Sequence, residues 1–491
     1  MNKDVAVLGV GMHPWGKWGK NFVEYGVAAC NAALKDAGID WKDVDFISGA
    51  ETVRNGYPGY VSGATFAQAL GWSGASVATS YAACASGATG INAARARILA
   101  GMSDVALVIG ADTTPKGFLA PNAGERWDDP DWLRFRLMGC TNPTYFALYA
   151  RRRMDIHGAT EEDFAQVKVK NSRHGFSNPN ARYKKKFTME EVLGSNMVAE
   201  PLRLFEICAT SDGAACVVLT SMEYARKHSL DPVRISAVST VTPKFPSTVI
   251  EMPNLSTDSA YSVSVPDIGF RDSIAAAAYE EAGLGPEDMS LAEVYDLSSA
   301  LELDWYENIG LCKPGEAEKL LRDGDTAIGG RIPVNPSGGL ACFGEAVPAQ
   351  AIAPVCEFAC QLLGEAGDRQ IARATALPVV HPVELVDADD QPRRRPIGAL
   401  QLDQLDAPPG GPAEAPGGLL AGDFLDHRVP AAAGVAAARP FTMAGAAFLA
   451  GVALCRRRHQ PNGFHSKISF GSTVSAARRA MNIAEAIKMP K

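Results

Sequence analysis

The sequence predicts a layered α/β fold built around a cysteine turn, and three observations predict it. Strand and helix patterns alternate from residue 5 onward. The run Ser80-Tyr81-Ala82-Ala83-Cys84-Ala85-Ser86-Gly87 joins a short strand to a helix with one apolar face. Residues 232–371 then repeat the outline of the first half: strands, a glycine-rich turn and a buried helix.

The composition sets the limits. A chain of 491 residues is too long for one small domain, and 47% hydrophobic content supplies a large core. A net charge of −8 without a long basic run before the tail speaks against nucleic acid. Ten cysteines include no CxxC pair and no Cys/His metal spacing, which points to a reducing, cytoplasmic setting and no metal site. MNKDVAVLGVGMHPWG reads as a strand rather than a signal peptide. No apolar run reaches the roughly 20 residues of a membrane span, 443–455 being the nearest. Gly9-Val10-Gly11 is a strand-end turn, not a dinucleotide fingerprint.

In chain order, residues 5–10 read as a strand and 24–37 as an amphipathic helix stopped by Gly38. A short strand at 46–49, a Gly- and Tyr-rich loop at 55–63 and a helix at 65–70 follow. After the Cys84 turn, Ala88, Ile91, Ala94 and Ile98 recur at helical spacing, Gly101 stops the helix, and 105–110 is a strand. Cys84 has the placement of a nucleophile. A helix start favours thiolate over thiol, and its small neighbours leave room for a substrate; a buried core cysteine is the structural alternative. The alternation breaks over 115–193, read as an inserted loop domain over the site. It holds Trp127, Trp132, Arg134 and Arg136, a helix at 145–154, and a basic cluster of Arg182, Lys184, Lys185 and Lys186. That cluster is either a solvated face or a seat for coenzyme phosphates. Ser211-Asp212-Gly213 turns into the strand at 217–219 that completes the first half, residues 1–231.

The second unit, 232–371, opens with a strand at 234–241 and a helix at 267–282 stopped by Gly283. A short strand ends at Glu293-Val294-Tyr295-Asp296, and Ser298 or Ser299 caps a helix at 300–309. Asn335-Pro336-Ser337-Gly338-Gly339-Leu340-Ala341-Cys342-Phe343-Gly344-Glu345 leads into an apolar helix at 347–363, where Pro348 suits the first turn and Pro354 predicts a kink. From Ala372 on, the chain has neither Trp nor Tyr, although the whole has 7 and 12, and Pro408-Pro409-Gly410-Gly411-Pro412 disfavours regular structure. Residues 372–491 read as an atypical, largely irregular tail, from a reading-frame shift or a replacement.

YAACASG, GMSDVALVIGADT, KNSRHGFSNPNARY, CATSDGAA, EVYD and NPSGGL occur in the order in which similar signatures occur in the thiolase superfamily. The chain most resembles its sterol-carrier-protein and bacterial lipid-transfer thiolase-like branch. The resemblance implies two similar halves in a five-layer αβαβα arrangement, a homodimer, acyl-CoA substrates, and Cys84 as the nucleophile. No bound cofactor is implied; coenzyme A is a co-substrate. Asn335, Gly338, Gly339 and Gly344, with Lys184 and Lys185, are the substrate-binding candidates. A small OB-fold acyl-CoA-binding protein is the implied partner. Thiolytic members carry Gly-His-Pro where this chain has Gly344-Glu345-Ala346, and Asn or His where it has Tyr295. The strands and cysteine loop that follow in such members have no counterpart after residue 371. Cys342 is the candidate substitute for the lost acid/base cysteine. Three functions follow: acyl transfer through Cys84, retro-aldol cleavage by Tyr295 and Glu345 as in steroid side-chain aldolases, or lipid and acyl-CoA binding without catalysis.

Overall fold

The computed structural model describes residues 4–51, 61–114, 142–228, 230, 232–241 and 274–372. The first half is built on β1 (Val5–Gly16), α1 (Phe22–Ala37), β2 (Phe46–Glu51), α2 (Ser62–Leu70), β3 (Ser76–Tyr81), α3 (Ser86–Leu99) and β4 (Val105–Thr113). There follow α4 (Asn142–His157), α5 (Glu161–Gly175), α6 (Met189–Leu193), the hairpin β5 (Met197–Ala199) and β6 (Leu202–Arg203), β7 (Asp212–Ser221), α7 (Met222–Lys227) and β8 (Val233–Ile235). The second half gives α8 (Ile274–Ala282), α9 (Ser299–Asn308), α10 (Ala317–Arg322), α11 (Gly339–Phe343) and α12 (Ala353–Leu363).

The main sheet has the order β3-β2-β4-β7-β1-β8. β2 pairs parallel with β3 and β4, whereas β7 pairs antiparallel with β4 and β1. Its central strands are covered on both faces, so they read as unbroken apolar runs. On one face Leu8, Leu107, Ile109, Cys216 and Val218 meet α1. On the other, Val7, Val108, Val217 and Leu219 share a core with Ile91 and Ile98 of α3 and with Val355 and Ala359 of α12. The α1 contact is close enough that a Cβ at Gly11 would sit 2.3 Å from Ala29 O. α12 comes from the second half, so one apolar core spans both halves.

The sequence reading needs correction at several elements. β1 runs on to Gly16. The strand expected at 234–241 is only β8, which adds to the first sheet. Residues 293–296 form no strand; a single bridge joins Ala292 to Val334, and among the described residues the second half forms no sheet of its own. Asp212 and Gly213 already belong to β7. α12 begins at Ala353, so Pro354 lies in its first turn and breaks no hydrogen bond. The expected loop domain holds α5, whose Thr160 and Asp163 form a reciprocal capping box. Ser298 is the cap of α9. The Gly/Tyr loop at 52–60, the stretch 115–141 with its Trp and Arg residues, the helix start at 267–273 and the tail from 373, Cys455 included, lie outside the described residues. No helix of the described residues is long and apolar enough to cross a membrane.

Candidate active site

Cys84 sits in one 3-10 turn, Ala83–Ala85, between β3 and α3. Ala83 has φ 50, a left-handed conformation that costs a non-glycine residue roughly 1–3 kcal/mol. Ser86 holds the turn: its Oγ accepts from Ala82 N–H at 2.9 Å and lies 2.7 Å from Glu51 O. The segment after Gly344 crosses this turn from the second half. A Cβ at Gly87 would lie 2.6 Å from Ala351 Cβ, and one at Gly110 would lie 2.1 Å from Pro348 O.

That segment delivers Glu345 and Gln350. The backbone of Glu345 is clamped on both sides: its N–H donates to Ala209 O at 2.6 Å, and its carbonyl accepts from Ser211 N–H at 2.9 Å and Thr114 Oγ1 at 3.0 Å. Glu345 therefore stands in an extended bridge beside Thr210, not at a helix start. Its Oε1 lies 3.7 Å from Cys84 Sγ. The Gln350 amide donates to Tyr295 Oη at 3.2 Å and reaches the Cys84 carbonyl at 3.5 Å. The Tyr295 hydroxyl in turn donates to the Cys84 sulfur. Gln350, Tyr295, Cys84 and Glu345 thus form one directed chain of donors ending on a carboxylate.

The electrostatics overturn the expectation of a ready thiolate. Burial, and then the neighbouring Glu345 carboxylate, push the Cys84 thiol up to about 12; donors from Tyr295 and Gln350 oppose this and do not offset it. α3 begins only at Ser86, two residues after Cys84. A thiol raised that far is held in its protonated form at pH 7. Burial likewise holds the Tyr295 phenol protonated, well above its ordinary range.

The remaining candidates separate into supports and bystanders. Asn335, at φ 53, accepts Val294 N–H on Oδ1 at 2.7 Å and donates Nδ2 to Glu302 at 2.8 Å, so it holds the segment carrying Tyr295. Gly339 lines the cleft beside Tyr295 and allows α11 onto the Asp296 carboxylate: its Cβ would stand 2.3 Å from Asp296 Oδ2. Asp296 accepts Leu340 N–H at 2.7 Å and Ala341 N–H at 3.1 Å there. Gly338 and Gly344 make similar approaches to Gly175 and Ser211. The Cys342 thiol donates to Asn171 O on α5 at 3.3 Å, and burial pushes it up to about 11. Lys184 donates to Pro179 O and Lys185 pairs with Glu191 at 2.8 Å; both are exposed, and neither lines the cleft.

Sequence reasoning missed three parts of the site. Gln350 is one; its signal was a lone amide in the apolar run VPAQAIAP. Cys208 is another, buried and raised by burial and then by the Glu345 charge. The third is a buried network behind Asn335: the Lys170 ammonium lies 2.9 Å from Glu302 Oε1, and His174 donates Nδ1–H to Asn335 O at 3.0 Å while accepting Ile328 N–H on Nε2 at 3.1 Å. A small cleft opens against Tyr295 and Gln350, with Met12, Trp15, Leu340 and Phe343 among its apolar walls.

Residues 5–223 match the thiolase N-terminal domain and residues 257–382 the thiolase C-terminal domain-like family, so the likeness extends past residue 371. Sterol carrier protein 2 of Gallus gallus is 32% identical over 393 residues, covering 76% of this chain and 68% of that protein. An acetyl-CoA acetyltransferase of Methanothermobacter thermautotrophicus is 31% identical over 388 residues, covering 76% and 94%. A solved structure titled "Ltp2-ChsH2(DUF35) aldolase" superposes with a TM-score of 0.60 at 26% identity, covering 74% of this chain and 92% of that one. With two family models matching in order and relatives above 30% identity over most of their length, the chain belongs to the thiolase family.

Proposed function

We propose that this protein cleaves a 3-hydroxyacyl-CoA by a retro-aldol reaction, releasing an aldehyde or ketone and a shortened acyl-CoA. The observation that carries this reading is a buried Cys84 thiol, held neutral, set between the Tyr295 hydroxyl and the Glu345 carboxylate, with no imidazole beside it among the described residues. Acyl transfer needs the sulfur as a thiolate. Retro-aldol cleavage needs only a proton acceptor for the 3-hydroxyl. Glu345 is that acceptor, reached through the thiol and the phenol. The hydroxyl proton passes to Tyr295 Oη, the phenol proton to Cys84 Sγ, and the thiol proton to Glu345. The C2–C3 bond breaks, C3 becomes the carbonyl carbon, and the electron pair enters the thioester as an enolate. Return of the proton to C2 along the same chain completes the shortened acyl-CoA and restores every group. Coenzyme A is part of the substrate, and no bound cofactor takes part.

The assay supplies 3-hydroxyacyl-CoA without free coenzyme A and measures the carbonyl product. The reading expects the aldehyde or ketone and the shortened acyl-CoA in equal amounts. Turnover of 3-oxoacyl-CoA alone, and only with free coenzyme A, would assign acyl transfer through Cys84, the second reading, which the strained Ala83 turn favours. Saturable binding without either product would leave a lipid or acyl-CoA carrier.

The oligomeric and partner expectations belong to the same proposal. β3 forms one edge of the sheet and exposes Val77 and Tyr81, which suits pairing with a second copy. The aldolase neighbour's title joins it to ChsH2(DUF35), and we extend a small acyl-CoA-binding partner to this chain on that likeness. Lys184 and Lys185, exposed outside the cleft, are left the role of meeting the phosphates of coenzyme A.

A further inference from the structure

We infer that Gln350 makes the site selective for a thioester ligand whose acyl group carries a 3-hydroxyl, with Gln350 Oε1 accepting that hydroxyl's hydrogen bond. The inference rests on the active-site reading above and names the feature of the substrate that the site recognises.

Both amide hydrogens of Gln350 point toward protein acceptors, one at Tyr295 Oη and one at the Cys84 carbonyl. That fixes the amide's orientation, because the flipped form would set oxygen against the Cys84 carbonyl oxygen. Oε1 is then left over. Gln350 is 4% exposed, it lines the cleft, and Oε1 has no partner among the described residues. An acceptor buried without a donor costs about 1–3 kcal/mol, which a ligand donor recovers on binding. A second wall residue, Trp15, is 1% exposed, and its Nε1–H is also without a partner among the described residues. Among the described residues that line the cleft, Gln350 Oε1 is thus an unsatisfied acceptor and Trp15 Nε1–H an unsatisfied donor. A hydroxyl on an apolar acyl group offers both a donor and an acceptor. A hydrocarbon offers neither, and a 3-oxo group would set oxygen against Oε1.

The hydroxyl meant is the reacting one. Gln350 touches both Tyr295 and the Cys84 backbone, so Oε1 lies at the reacting end of the cleft. The O–H rotor rests on Oε1 in the bound complex and turns to Tyr295 Oη as the proton leaves. Gln350 is a positioning residue: it fixes which face of C3 presents its hydroxyl and takes no proton itself.

Thioether analogues test this independently of turnover, because without the thioester carbonyl they can neither form an enolate nor acylate a thiol. Calorimetric titration compares S-(3-hydroxyalkyl)-CoA, S-alkyl-CoA and S-(3-oxoalkyl)-CoA of equal chain length on the full chain. The expected result is roughly tenfold or greater preference for the 3-hydroxy analogue over either competitor. Gln350→Met, which keeps the volume and removes the acceptor, should lower that ratio to about one while the S-alkyl affinity stays within a few-fold of the parent's. Gln350→Leu, which also removes the acceptor, should lower the ratio in the same way. No preference in the parent protein overturns the inference whatever the variants do, and so does a preference that survives in Gln350→Met. If the preference is present but no cleavage occurs, the inference stands and the retro-aldol reading falls. If cleavage occurs without preference, the reverse holds.

Discussion

Tyr295→Phe lowers the rate of 3-hydroxyacyl-CoA cleavage by about 10²–10⁴-fold, the range in which a positioned proton-transfer group acts. The phenol is the only link between substrate and Cys84 in the proposed relay, and phenylalanine preserves its volume among the same walls. The structural cost is small. Gln350 keeps its reach to the Cys84 carbonyl when the hydroxyl is lost, so stability should fall by only about 1 kcal/mol. Glu345→Gln removes the terminal acceptor and should cost a similar factor. The double variant should be scarcely slower than either single one, because removing one member of a relay already stops it. Rates under steady-state conditions, paired with thermal midpoints, check all three. A Tyr295→Phe enzyme within threefold of the parent would remove the phenol from the mechanism.

The second large effect concerns stability. In the unfolded chain an imidazole titrates near 6.5, whereas His174 in place is lowered to about 3, by burial first and then by the Lys170 charge. Between those values the unfolded chain binds a proton that the folded one refuses. The contribution is therefore fully present above pH 6.5 and is lost as pH falls toward 3. The gap converts to about 5 kcal/mol overall, of which about 2 kcal/mol is lost by pH 5. Other buried groups act with the opposite sign. Glu293, pushed up to about 8, and Glu206, up to about 7, mainly by burial, bind protons more readily folded than unfolded and so favour the folded state as pH falls. The parent curve alone is thus a sum, and the comparison with His174→Gln isolates the imidazole. Urea midpoints measured from pH 7.5 to pH 5 should show the variant less stable at pH 7.5 and less sensitive to acid. An unchanged acid slope in the variant would mean that His174 titrates elsewhere.

How much of this was legible in the sequence depended on whether the signal was local. α1 announced itself through its periodicity and Gly38, and the Cys84 turn through the small residues packed around it, because both follow from short-range sterics. The family signatures placed Tyr295 and Glu345 in the site, and the fold does bring both to Cys84. The ionisation of Cys84 was not legible. It depends on burial and on a carboxylate 261 positions away in the chain. Gln350 was hidden for the same reason, since an amide's partners come from across the fold. The expected strand at 293–296 failed because a strand needs a neighbour along its length, and here only Ala292 and Val334 pair. α12 was overextended because the apolar run continues through Val347 and Ile352, residues buried in turns rather than on a helix. α5 escaped because its buried face carries Lys170, Asn171 and His174, polar residues that meet partners on other elements.

The central claim is carbon–carbon cleavage with Cys84 remaining a thiol, and intact-protein mass spectrometry during turnover tests it most directly. The protein is quenched in acid at intervals while it consumes 3-hydroxyacyl-CoA, and separately after exposure to 3-oxoacyl-CoA. The account predicts the carbonyl product from the hydroxy substrate, with the protein mass unchanged at every interval. An acyl adduct mapped to Cys84, formed at the rate of turnover and discharged by free coenzyme A, would contradict it and make the sulfur the nucleophile.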